Sequence, residues 1–137
     1  MFGSPRSPIA AYASVDVETS VSTADPHALV LLLFDGAKQA IALALIHMEH
    51  NEIAEKGAAV SKAINIIANG LKASLDLESG GELAERLAAL YDYMTQRLLW
   101  GNLKNQPAAL KEVIELLSGL RDAWAQIAPA KQQQDAA

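Results

Sequence analysis

The stretch LESGGELAERLAALYDYM, residues 77–94, decides how the chain folds. Its adjacent glycines follow no β-strand pattern and precede no Lys-Ser or Lys-Thr pair, so they match neither a P-loop nor a dinucleotide fingerprint. They separate two apolar periodicities of helical spacing, where a turn needs free backbone dihedrals. Ser79 followed by Glu82 fits a capping box and predicts a helix that restarts here with Ser79 as its N-cap. Leu83, Leu87, Leu90, Met94 and Leu98 then recur every three or four residues, which predicts an inward stripe. Tyr91 and Tyr93 lie about 200° apart around such a helix, so they cannot share a face.

Working outward, the same logic predicts a helix on each side of every joint. In ADPHALVLLLFDGAKQAIALALIHMEHN, residues 24–51, Asp25 is a good N-cap, Pro26 sits at N1 and Asn51 is an αL stop. A second helix, about Glu52 to Leu77, sets Ile53, Val60, Ile64, Ile67, Leu71 and Leu75 on one stripe. The third helix ends near residues 102–105. The fourth, QPAALKEVIELLSGLRDAWAQIA, has Pro107 at N1 and Leu110, Val113, Leu117, Leu120, Trp124 and Ile127 inward. Each rod is roughly 33–40 Å long at ~1.5 Å per residue. Short connections between rods of similar length predict an all-α, antiparallel up-down-up-down four-helix bundle. Residues 1–24 read as an extended arm with a short extra helical turn, residues 25–128 as the bundle, and residues 129–137 as a disordered tail.

Composition narrows the function. A chain of 137 residues, 51% hydrophobic but only 5% aromatic, has the Ala, Leu, Ile and Val of a helical core. A net charge of −5 with eleven scattered Lys and Arg argues against nucleic acid. Without cysteine there is no disulfide and no thiolate metal site. The first twenty residues lack a continuous apolar segment, so no secretory signal is expected. The apolar run Ala28–Phe34 is too short to span a bilayer, and a cytoplasmic protein without membrane insertion is the expectation.

Catalytic readings are weak. Glu78, Glu82, Glu85 and Asp92 read as caps and solvated faces, not as a carboxylate pair with divergent environments. His47 and His50 stand three apart near a helix C-terminus, where the dipole alone favours histidine, and bundle metal sites draw ligands from several helices. His27 has no nucleophile beside it. Neither an enzyme nor a bound cofactor or metal is expected.

Two features point to binding instead. Lys62, Asn65, Asn69 and Lys72 form a polar stripe beside the apolar one of the second helix. Asn costs roughly 0.6 kcal/mol against Ala in a helix, and Gly70 about 1. The stripe is either a solvated face with a packing glycine or a face whose amides meet the backbone of a chain laid alongside. The first helix is apolar nearly all round over Leu29–Phe34 and again over Ala40–Ile46, more than the roughly 100° stripe a bundle helix needs. That excess calls for a cover: the arm, a partner, or each in turn. These residues alone describe an interaction module that receives an amphipathic partner, leaving open an adaptor or a self-assembling bundle.

The blocks IAAYASVDVETSVSTADPHALVLLLFDGA, KGAAVSKAINIIANGLKASLD, GGELAERLAALYDYM and LLSGLRDAW resemble, in order from Ile9 to Ile127, the flagellar secretion chaperone family FliS. Two positions depart from it: Phe34 where the family often has Tyr, and Gly101 in LLWGN where it often has Ala. The resemblance implies a cytoplasmic type III flagellar export chaperone. Its client would be the disordered C-terminal segment of flagellin, kept unpolymerised and delivered to the export gate protein FlhA, with another flagellar regulator as a further partner. It implies no nucleotide or metal. It assigns gate docking to Ile9 and Tyr12, although Tyr12 also reads as a plain anchor for the arm. Together with the polar stripe, it places the client on Lys62, Asn65, Ile66, Asn69, Leu71 and Lys72, flanked by Tyr91 and Tyr93.

Overall fold

A computed structural model describes residues 25–136, with side chains through Ile127. The expected arm with Ile9 and Tyr12 therefore lies outside the described residues. Helix α1 spans Pro26–Glu49 and starts as its sequence dictates: Asp25 Oδ1 accepts from the Ala28 N–H at 2.7 Å, and Pro26 occupies the first turn. It stops at Asn51, whose φ of 58° is the left-handed turn that Asn tolerates.

Helix α2 spans Ile53–Asn65 and continues as a π-helical segment, Ile66–Leu71, and a 3₁₀ turn, Lys72–Ser74. The uniform helix to Leu77 expected from sequence is thus interrupted. Ile66, Ile67, Gly70 and Leu71 are all buried, an arc wider than a regular stripe; the wider π turn presents it between α1 and helix α3, spanning Leu77–Lys104.

At the joint, Asp76 takes the role expected of Ser79. Its Oδ1 accepts from the N–H groups of Glu78 and Ser79, both at 3.1 Å, and the Ser79 hydroxyl and N–H hold its carboxyl below the usual range. Glu82 pairs with Arg86 at 2.7 Å instead of reaching back to Ser79. The reason is Gly81, at φ 58° and ψ −139°: the break falls inside the expected capping box, so one turn forms before it and a long helix after it.

Asn105, at φ 51°, ends α3, and helix α4 spans Pro107–Ala136. It passes through Pro129, where the sequence reading has the helix end; proline removes one backbone donor there. Each helix packs on its sequence neighbours, and α4 closes on α1, while the diagonal pairs α1/α3 and α2/α4 stay apart among the described residues. The described chain is therefore the all-α four-helix bundle. Ile41, Val60, Ile66, Ile67, Leu71, Met94, Leu98, Leu110, Val113 and Leu117 fill its centre. Three residues expected inward are exposed: Ile53 at 74%, Leu83 at 68% and Ile127 at 51%. Ile53 opens α2 and Leu83 follows the Gly81 break, where a neighbour's cover runs out.

Two contacts set the close packing. Gly101 lets α4 approach α3, since a Cβ there would stand 2.6 Å from Leu110 Cδ1 and 3.0 Å from Ala109 Cβ. Lys56, buried on α2, donates from Nζ to the Asn102 carbonyl at 3.0 Å and to Asn105 Oδ1 at 2.5 Å, capping the last turn of α3 from a neighbouring helix.

Candidate functional site

By length and composition α1 is apolar enough to cross a membrane, over 24 residues with a mean hydropathy of 1.9 in its most apolar window. This goes beyond what the short Ala28–Phe34 run suggests. Its inner face, Leu33, Phe34, Ala37, Ile41 and Ala44, is bundle core. Its outer face keeps Leu43 and Ile46 about half exposed, at 48% and 50%. The surplus apolar surface read from the sequence is therefore present and open among the described residues.

Beside it an open cleft of about 430 Å³ runs between α1 and α2. Leu32, Asp35, Gly36, Gln39, Ala40 and Leu43 line it from α1, and Ala59 and Lys62 from α2. Gly36, Ala40 and Ala59 have little or no side chain to fill it, while Leu32 and Leu43 supply apolar walls. One wall is braced from α4: Arg121 Nε and Nη2 donate to the two Asp35 carboxylate oxygens at 2.9 and 3.3 Å, and this carboxylate raises the guanidinium pKa. A turn further along α4, Trp124 stacks on His27 with centroids 4.6 Å apart. The Trp124 indole N–H donates to the His27 carbonyl at 3.0 Å, and His27 Nε2–H returns a bond to the Trp124 carbonyl at 2.6 Å.

The sequence-predicted site residues separate into groups. Lys62, Asn65 and Asn69 are exposed on α2 and the π segment, with Lys62 at the cleft. Asn69 Nδ2–H donates to Asn65 Oδ1, a bond that uses neither the Asn65 amino group nor the Asn69 carbonyl oxygen. Lys72 turns toward α3 and pairs with Asp92 at 2.7 Å. Ile66, Leu71 and Tyr91 are core residues that shape the site only from beneath. Tyr91 is 4% exposed, and burial pushes its hydroxyl up to about 12. Tyr93, 41% exposed, faces the α3–α4 seam, where its hydroxyl donates to Glu112 at 2.6 Å. The two tyrosines thus part as the helical spacing requires.

The histidines weighed as metal ligands are engaged locally. His47 Nδ1 bonds Glu52 at 2.7 Å and His50 Nδ1 the Ile46 carbonyl at 2.8 Å. Sequence reasoning missed the cleft lining, although Gly36 in the polar break between the two apolar runs of the first helix was a signal of it. It also missed Lys56, because a lone Lys in a helical pattern reads as surface.

The family model described as Flagellar protein FliS matches residues 8–131. The chain is similar to the flagellar secretion chaperone FliS of Salmonella typhimurium, 54% identical over 121 residues that cover 88% of this chain and 90% of the relative. It is also similar to the chaperone of the same name from Escherichia coli, 48% identical across 83% of this chain and 84% of the relative. The Bacillus subtilis chaperone is 37% identical over 80% of each.

Proposed function

Because the chain belongs to the FliS family of flagellar secretion chaperones, we propose that it binds the disordered C-terminal segment of flagellin in the cytoplasm, holds it unpolymerised and delivers it to the export gate protein FlhA. The observation that carries this reading is the apolar cleft between α1 and α2, open beside the half-exposed Leu43 and Ile46. A segment that becomes helical on binding sets its apolar residues against Leu32 and Leu43, each fully buried one contributing ~1.5–3 kcal/mol. Asn65 offers its amide N–H groups and Asn69 its carbonyl oxygen to its backbone, and Lys62 and Lys72 border the same run, with Ile66, Leu71 and Tyr91 holding the helices in place below. Part of the contact energy is spent on ordering the client, so the interface is long and wraps beyond the cleft. The arm, through Ile9 and Tyr12, engages the gate. None of these steps needs a cofactor or a covalent reaction.

Isothermal calorimetry with a flagellin C-terminal peptide tests the cleft. Leu43→Asp places a charge on the apolar wall and is expected to weaken binding at least tenfold, and Asn69→Ala less. Unchanged affinity in a folded Leu43→Asp variant removes the cleft from the reading. Tyr12→Ala should keep the peptide affinity and weaken FlhA binding. Equal loss of both makes the arm a structural anchor. Light scattering across concentration, without client, separates the chaperone from a self-assembling bundle.

A further inference from the structure

Tyr93 stands apart from the cleft, in a cluster on the α3–α4 seam. Its hydroxyl and Arg97 Nε both donate to Glu112, at 2.6 and 2.9 Å, so both carboxylate oxygens are engaged. The Tyr93 bond and then the Arg97 bond hold the Glu112 carboxyl below its ordinary range. The Arg97 guanidinium lies over the Trp100 ring, 4.8 Å from its centroid. Trp100 is 43% exposed, and among the described residues its indole N–H and both Arg97 Nη groups have no hydrogen-bond partner. An exposed tyrosine whose hydroxyl is fixed on Glu112, a half-buried arginine and an exposed tryptophan thus stand together, the last two with donors to spare, and these are the three residue types that dominate binding hot spots.

We propose that this cluster is a second docking surface, for an acidic peptide segment that carries an apolar side chain. The charge at this corner selects the occupant. Lys104, exposed, is seven residues beyond Arg97 and on the same face of α3, and exposed Lys111 opens α4 nearby. The acidic groups of the corner are Glu112, already spent on Tyr93 and Arg97, and exposed Glu115. Three cations against two carboxylates leave this corner net positive beside an aromatic platform, in a chain of net charge −5. A partner carboxylate takes the open Arg97 Nη pair in the bidentate geometry guanidinium favours, and an apolar side chain covers Trp100. Because Glu112 already orients Tyr93 and Arg97, little rotamer freedom is left to lose on binding. The surface shares no residue with the α1–α2 cleft and does not depend on what occupies it.

The test uses the full chain, labelled with ¹⁵N, and two synthetic dodecapeptides. One carries Glu and Asp around a central Leu-Phe pair; the other has the same apolar residues among Lys and Arg. The acidic peptide is expected to shift the Arg97 Nε–H and Trp100 indole resonances and leave residues around Leu43 unmoved. Its affinity should fall with added salt, and at least tenfold in Trp100→Ala and Arg97→Gln. Lys104→Glu, which alters charge without touching a described contact, should weaken it several-fold, and Arg97→Lys should fall between wild type and Arg97→Gln. The proposal is overturned if the acidic peptide does not bind at millimolar concentration, if the basic peptide binds as well, or if folded variants bind as wild type.

Discussion

The two flanks of α4 carry the same three kinds of residue and use them in opposite ways. Toward α1, Arg121 spends Nε and one Nη on Asp35, and Trp124 spends its indole N–H on the His27 carbonyl while its ring stacks on the His27 imidazole. Toward α3, Arg97 spends only Nε on Glu112, and the Trp100 indole N–H meets no acceptor among the described residues. An arginine, a carboxylate and a tryptophan do not by themselves mean a clamp or a docking surface. What decides is whether the fold supplies acceptors for the remaining donors. The first flank has one in the backbone of α1's opening turn; the second does not.

The widest expected gap is between the two tryptophans. Trp124→Ala removes a stacked, half-buried ring and its hydrogen bond, and should cost about 2–4 kcal/mol in urea denaturation. Trp100→Ala should cost less than about 1 kcal/mol. Equal losses would break the contrast and make Trp100 structural.

Next in size is Gly101→Ala, which drives a methyl group into Leu110 and Ala109 and should cost about 1–3 kcal/mol. Pairing it with Leu110→Ala should recover part of the added loss, as a double-mutant cycle measures. An additive outcome would show that the seam does not close through that contact. Smallest is a pH effect at Glu112. Its lowered pKa means that its contribution to stability is present above the ordinary carboxylate range and is lost as pH falls through the depressed value. Carboxyl NMR should find Glu112 titrating below an ordinary glutamate and moving up in Tyr93→Phe, the larger cause being removed. An unmoved titration would assign the effect to Arg97.

The bundle was legible because its strongest signals are local. Asp25 before Pro26, Pro107, and the three-and-four spacing of Leu110, Val113 and Leu117 each act within a turn or two. The cap at the second joint was not, since Asp76 and Ser79 are both competent caps, and only the position of the Gly81 break selects between them. The π segment was hidden because its buried arc is a demand made by α1 and α3, not by the segment's own spacing. For the binding surfaces, α1's surplus apolar character was readable as quantity. The cleft itself needs Gly36, Ala40 and Ala59 to face one another across two helices, and that pairing is tertiary information. The same limit left Tyr93 grouped with Asn65 and Asn69 by sequence, although α3 turns it toward Glu112.

Lys56 has a kinetic meaning as well as a structural one. By holding the Asn102 carbonyl and the Asn105 side chain, it makes the α3–α4 turn part of the same opening unit as the start of α2. A helix end normally frays on its own, exchanging its amide protons far faster than the core. Here the Asn105 and Gln106 amides, both bonded to the Gly101 carbonyl, should exchange only when α2 also lets go. The end of α3 therefore opens together with the start of α2 and not as a separate fraying turn.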